Sequence, residues 1–159
     1  MAWHASFRRW FAIALFSVWW GGLTFYALAV VPTGHQVLHS KVRQGFITQR
    51  VTNKLNWLGA VTLVALLVEV AARRERSTKW RVGCASWLAM AALLVALFVL
   101  HPRLDALLDG TSRSVVDDDR FYALHRIYLL VTTAQWLAGA VHLASLSRSE
   151  SRPQRSAVE

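Results

Sequence analysis

Four apolar blocks, each of the length that crosses a lipid bilayer, constrain this chain more than any other feature. Trp10 to Val31 runs about 22 residues without a charge. Leu55 to Ala72 follows, interrupted by Asn56 and Glu69. Val82 to Leu100 and Ile127 to Leu146 complete the set, at about 19 and 20 residues. A helix rises about 1.5 Å per residue, so about 20 residues cover roughly 30 Å of hydrocarbon. Hydrophobic residues make up 55% of the chain, more than a soluble core of this size can absorb. The expectation is an all-α integral membrane protein, an antiparallel four-helix bundle in one domain over residues 1–146, with spans near 10–31, 55–72, 82–100 and 127–146. Residues 147–159, rich in Ser and Arg, read as a disordered cytoplasmic tail. The start of the chain also imitates an export signal through Arg8-Arg9 and Ala27-Leu28-Ala29, but its apolar run is longer than an ordinary signal core.

The formal charge of +9 does not point to nucleic acid, because the basic residues lie between and beyond the apolar blocks, where headgroups and topology account for them. One side collects ten: Arg8, Arg9, Arg73, Arg74, Arg76, Lys79, Arg81, Arg148, Arg152 and Arg155. The other has seven: Lys41, Arg43, Arg50, Lys54, Arg103, Arg113 and Arg120. The positive-inside rule therefore places both termini in the cytoplasm. Arg greatly outnumbers Lys, which hints at a GC-rich bacterial genome, so the expected location is a bacterial inner membrane. The single cysteine, Cys84, forms no intramolecular disulfide and does not report the compartment's redox state.

The connections on the outer side carry helical spacing of their own. Leu38, Val42 and Phe46, then Ile47 and Val51, recur at one-turn intervals, with Gly45 as the expected turn. The third helix is expected to continue through His101 and Pro102 to Leu108, kinked at the proline. Asp117 to Asp119 form an acidic start to the last helix, and 110–116 is the least regular connection. The bundle should outrun the bilayer on its outer side.

That overhang holds the residues with chemical potential. His35 and His39 stand at i,i+4, a spacing that allows two imidazoles to bind one metal on a single helix face. His101 ends the third span and His125 opens the fourth, with Asp105 one turn past His101 and Tyr122 and Tyr128 flanking His125. This donor set suits copper, zinc or iron, or two axial histidines on a haem, with Tyr122 and Tyr128 as orienting groups near the cofactor. The alternative is that these are interfacial histidines bound to nothing. On the inner side Glu69 and His142 occupy similar depth and are candidates for an intramembrane polar pair, a proton relay or an ion site. The competing reading has Glu69 pairing with Arg73 one turn away. Arg126 is expected to pair with the Asp117–Asp119 cluster or with lipid phosphate. Gly21-Gly22 and Gly139 suit close helix approach, and the many Trp suit packing and interface anchoring. Glycine-loop, Gly-x-Ser-x-Gly, His-Glu-x-x-His and Cys-x-x-Cys signatures are absent.

Trp20-Gly21-Gly22, Tyr26 through Val30-Val31-Pro32, Gln44-Gly45-Phe46 and Phe121-x-x-Leu124-His125-x-x-Tyr128 together resemble the four-helix membrane family of unknown function that includes transmembrane protein 205. The resemblance runs from about Trp19 to Gly139 and implies a four-helix bundle with a role in handling metals or metallodrugs. His35 and His39 are not part of it. Three functions follow as expectations: a metal- or haem-binding protein with its site at the outer end, a non-catalytic accessory subunit packed against a membrane-protein partner or another copy of itself, and a small transporter or channel using Glu69 and His142.

Overall fold

The computed structural model describes residues 2–72, 78–109 and 114–147. Four long helices run up and down, packed antiparallel. The first is continuous from α1 (Ala2–Phe25) through a π-helical turn (Tyr26–Val30) into α2 (Val31–Leu38). Then come α3 (Lys41–Ala72), α4 (Thr78–Asp105) and α5 (Asp118–Ser147). All four are long and apolar enough to cross a membrane. At 32 residues α3 is about 48 Å long, well beyond roughly 30 Å of hydrocarbon, so the bundle is taller than the bilayer. We call the end carrying Arg8 and Ser145 the near end, and the end carrying the turn at residue 39 the far end.

The π turn sits where proline chemistry asks for it. Pro32 has no N–H to give the carbonyl one turn back, and its ring crowds that carbonyl. The backbone answers by widening: Val31 N–H donates to the Tyr26 carbonyl, five residues back. The helix thus passes the proline without breaking.

At the far end the chain turns at His39 and Ser40, not at Gly45. His39 takes a left-handed conformation (φ 45°) and stops α2, while the Ser40 hydroxyl accepts the Arg43 N–H at 3.4 Å and its carbonyl accepts the Gln44 N–H. Gly45 lies inside α3. After α4 the chain leaves the helix at Asp105, short of the expected Leu108, because Leu108–Asp109 (β1) pairs antiparallel with Ser114–Val115 (β2) in a two-strand clip. Asp117 then caps α5, its carboxylate accepting the Arg120 N–H at 3.0 Å, with Asp118 and Asp119 in the first turn. Residues 110–113, the basic stretch 73–77 and the tail beyond 147 lie outside the described residues.

Tryptophans lock the helices together. Trp19 is buried against Phe16, and a Cβ at Gly59 would come within 2.7 Å of its indole nitrogen, so α1 and α3 touch through a glycine. Trp20 meets Gly139 in the same way, at 2.8 Å. By contrast Gly21 has nothing within 4 Å and plays no such part. Trp20 stacks on Trp136 with centroids 5.0 Å apart and donates to its carbonyl, and Trp136 donates to the Thr24 hydroxyl, joining the first and last helices. The Trp87 indole donates to the Leu63 carbonyl at 2.8 Å, joining α3 and α4. Lipid cannot supply hydrogen bonds at this depth, so each indole N–H that finds a carbonyl removes a cost of burial.

Candidate functional site

The far-end histidines do not form one group. His35 is exposed on α2 and His39 is exposed at its left-handed cap, so the two no longer share a helix face. His101 is buried in the last turn of α4, its Nε2 3.5 Å from Asp105, with its ring 6.2 Å from that of Tyr128. The Tyr128 hydroxyl accepts the Asn56 side-chain N–H at 3.0 Å, tying α3 to α5. His125 is half-buried and stacks flat on Phe121, one turn before it, at 5.8 Å, and the exposed Tyr122 sets its edge against the same ring. His101, Asp105 and Tyr128 are therefore brought together. Among the described residues, no three His, Cys, Asp or Glu side chains gather in a way that could hold a metal ion.

At the near end the ionisable groups find other partners. Glu69 forms an ion pair with Arg8, 61 residues away in the chain, because α1 extends well below the apolar run and carries Arg8 alongside α3. Arg73 lies outside the described residues. His142, 1% exposed, takes a hydrogen bond with Ser86 at 2.8 Å through Nδ1. The Ser86 hydroxyl also bonds the Gly83 carbonyl at 3.0 Å; a serine has one proton, so giving it there leaves the oxygen to accept from a protonated Nδ1. Glu69 and His142 do line one cavity, with Arg9, Trp80, Gly83 and Ser145, but its volume of about 20 Å³ has room for little more than a water.

A larger concavity lies elsewhere, in the crook made by the π turn. A cleft of about 430 Å³ opens between the first helix, from Phe25 to Leu38, and the start of α3, at Gln44, Ile47 and Thr48. Its walls are apolar, lined by Phe25, Ala29, Val30, Val31 and Val37. Thr33, Thr48, Tyr26 and Gln44 bring polar groups to that lining; the hydroxyl of Tyr26 and Oε1 of Gln44 are themselves buried, with no partner in hydrogen-bond geometry. Gln44 is held in place through its other end, its Nε2 donating to the Val31 carbonyl at 2.8 Å. That carbonyl precedes Pro32 and sits beside the widened turn. The Thr48 hydroxyl lies close to the Tyr26 phenol, but the pair does not reach hydrogen-bond geometry.

Sequence reasoning passed over Arg8, Ser86, Asn56 and this cleft. Ser86 and His142 fall at the same depth on neighbouring helices, a signal available from span positions alone. Tyr26 and Gln44 line one cleft beside the π turn, and only Pro32 inside a helical run hints at that turn. Against known proteins, residues 14–110 match the family model described as a domain of unknown function (DUF4149), a stretch that contains the whole cleft. No curated protein and no solved structure matches the chain. The family model covers well over half of the 159 residues, and the chain belongs to the DUF4149 family.

Proposed function

We propose that this chain is a multi-pass protein of a bacterial inner membrane, its near end in the cytoplasm, which binds a lipophilic small molecule in the cleft beside the π turn. The observation that carries this reading is the cleft itself: about 430 Å³ and lined mostly by apolar side chains at the far end of the bundle. Ligand sites are typically apolar concavities of 300–1,000 Å³ with a few placed polar groups, and π turns recur at functional positions. A hexadecyl chain bearing a diazirine, incorporated into nanodiscs with the protein and irradiated, tests it. Labels concentrated on residues 25–38 and 44–48 are expected. Labels spread evenly over exposed lipid-facing residues such as Val64, Val95 and Leu137 would remove the site.

A second reading keeps a metal ion at the far end, which the resemblance to the family of transmembrane protein 205 also implies. His101 and Asp105, 3.5 Å apart, would supply two ligands, with further donors from His125 after a side-chain change or from His35 and His39 of a second copy. Elemental analysis and an optical spectrum of the purified protein decide it: stoichiometric copper, zinc or iron, or a Soret band, supports the reading, and neither overturns it.

A further inference from the structure

One outward face of α3 changes chemistry along its length. Arg50, Lys54, Trp57, Val61, Val64 and Val68 follow one another at three- or four-residue steps, so their side chains form a single stripe. All six are exposed, Trp57 at 62% and Val64 at 64%. The far-end part is basic, the indole comes next and the rest is aliphatic. From Trp57 to Val68 the stripe runs about 16 Å, half of roughly 30 Å of hydrocarbon, and Arg50 stands about 10 Å beyond the indole. That order and those lengths match one phospholipid: phosphate, then ester region, then acyl chain.

The donors on this stripe are unpartnered. Among the described residues, the Arg50 guanidinium, the Lys54 ammonium and the Trp57 indole N–H make no hydrogen bond, and the two cations make no ion pair. α3 has no acidic residue before Glu69, at the near end. Trp57 is held from one side, its ring edge-on to Phe98 with centroids 5.2 Å apart, while most of it stays exposed. The other helices differ at this end. α2 has no Lys or Arg, Arg103 of α4 is followed by Asp105, and α5 opens with Asp118 and Asp119 ahead of Arg120 and Arg126.

We propose that this stripe seats an anionic phospholipid of the far-end leaflet, its phosphodiester at Arg50 and Lys54, its ester region at the Trp57 indole and an acyl chain along Val61, Val64 and Val68. Long basic side chains near a helix end reach the headgroup level, and an exposed indole belongs at the boundary between headgroup and hydrocarbon. Net charge selects the occupant: the choline of phosphatidylcholine brings a cation that two basic side chains repel, whereas phosphatidylglycerol brings none. None of the six residues lines the cleft beside the π turn, so the seat stands whether or not that cleft takes a lipophile.

The full chain in phosphatidylcholine nanodiscs receives a trace of phosphatidylglycerol or of phosphatidylcholine, each with the same diazirine-bearing acyl chain, and is irradiated and mapped by peptide mass spectrometry. Label on residues 57–68 is divided by label on Leu137 and Val141, exposed positions of α5. Each basic side chain near a membrane surface gives roughly a fivefold preference for anionic lipid, so the phosphatidylglycerol probe should exceed the phosphatidylcholine probe about tenfold or more. Arg50→Gln and Lys54→Gln should each lower that ratio several-fold, the double variant should bring it to about one, and Arg50→Lys should keep it. A wild-type ratio near one makes the stripe ordinary lipid contact and overturns the proposal, as does a high ratio that persists in the double variant.

Discussion

Replacing Gly59 with alanine tests how closely the first two long helices approach. The added Cβ would lie 2.7 Å from the Trp19 indole nitrogen, 2.9 Å from Cε2 and 3.2 Å from Cζ2. Ordinary contact begins near 3.5 Å, so the ring or the helix must yield by roughly 0.8 Å. Trp19 is 1% exposed and wedged against Phe16, so it has nowhere to swing. Overpacking of this kind costs about 1–3 kcal/mol, and alanine returns up to about 1 kcal/mol over glycine in a helix interior. The net loss should be about 1–2 kcal/mol. Gly21→Ala is the matched control: nothing lies within 4 Å, so only the propensity gain remains, up to about 1 kcal/mol. The propensity gain is common to both variants, so they should differ by the overpacking cost alone, about 1–3 kcal/mol, or several degrees in melting temperature. Thermal unfolding in a mild detergent, followed by tryptophan emission, measures it. If Gly59→Ala melts at or above the wild type, α1 and α3 do not meet through this glycine and the core packing described here is wrong.

Other perturbations have equally definite signs. Ser86→Ala removes the oxygen facing His142 Nδ1, and loss of that buried hydrogen bond should cost about 0.5–1.5 kcal/mol in the same melting assay, whereas Ser17→Ala, at an exposed α1 position, should cost almost nothing. Glu69→Gln weakens the tie to Arg8, but the Arg8 side chain is 42% exposed, so the loss should stay at or below about 1 kcal/mol. Orientation can be read from single cysteines in a Cys84→Ala background. Ser40→Cys and Val116→Cys should both react with an impermeant maleimide added to the periplasmic side of intact cells, and Lys79→Cys should react only after lysis; the opposite pattern inverts the topology.

The spans were legible because bilayer thickness acts on any chain regardless of its partners, and an uninterrupted apolar run of about 20 residues has few other uses. The overhang was legible from helical spacing on either side of the turn, but α3 begins at Lys41, ahead of a start near Phe46, and Leu38 belongs to α2 while Val42 and Phe46 belong to α3. The turn was misplaced because glycine is the default residue for a left-handed cap, whereas here His39 adopts that conformation and Ser40 starts the next helix. For Glu69 the sequence offers Arg73 by i,i+4 spacing and His142 by depth, whereas its pairing with Arg8 comes from another helix and leaves no mark in local spacing; Arg73 itself lies outside the described residues. The choice between Gly21 and Gly59 likewise depends on which face of a helix meets a tryptophan, and the spans are apolar all round, so no stripe marks that face. The cleft was hidden most deeply. It lies beside the turn that Pro32 widens by one residue, and a single proline is all the sequence shows of that turn.

The most direct test of the cleft as a binding site is native mass spectrometry of the protein extracted gently from its own membrane. The account expects a single bound lipophile per chain that persists through detergent exchange, and its loss in Ala29→Phe, where the added ring fills the cleft while the melting temperature holds. A spectrum with no retained molecule, or one whose adducts are the same in Ala29→Phe as in the wild type, would contradict it.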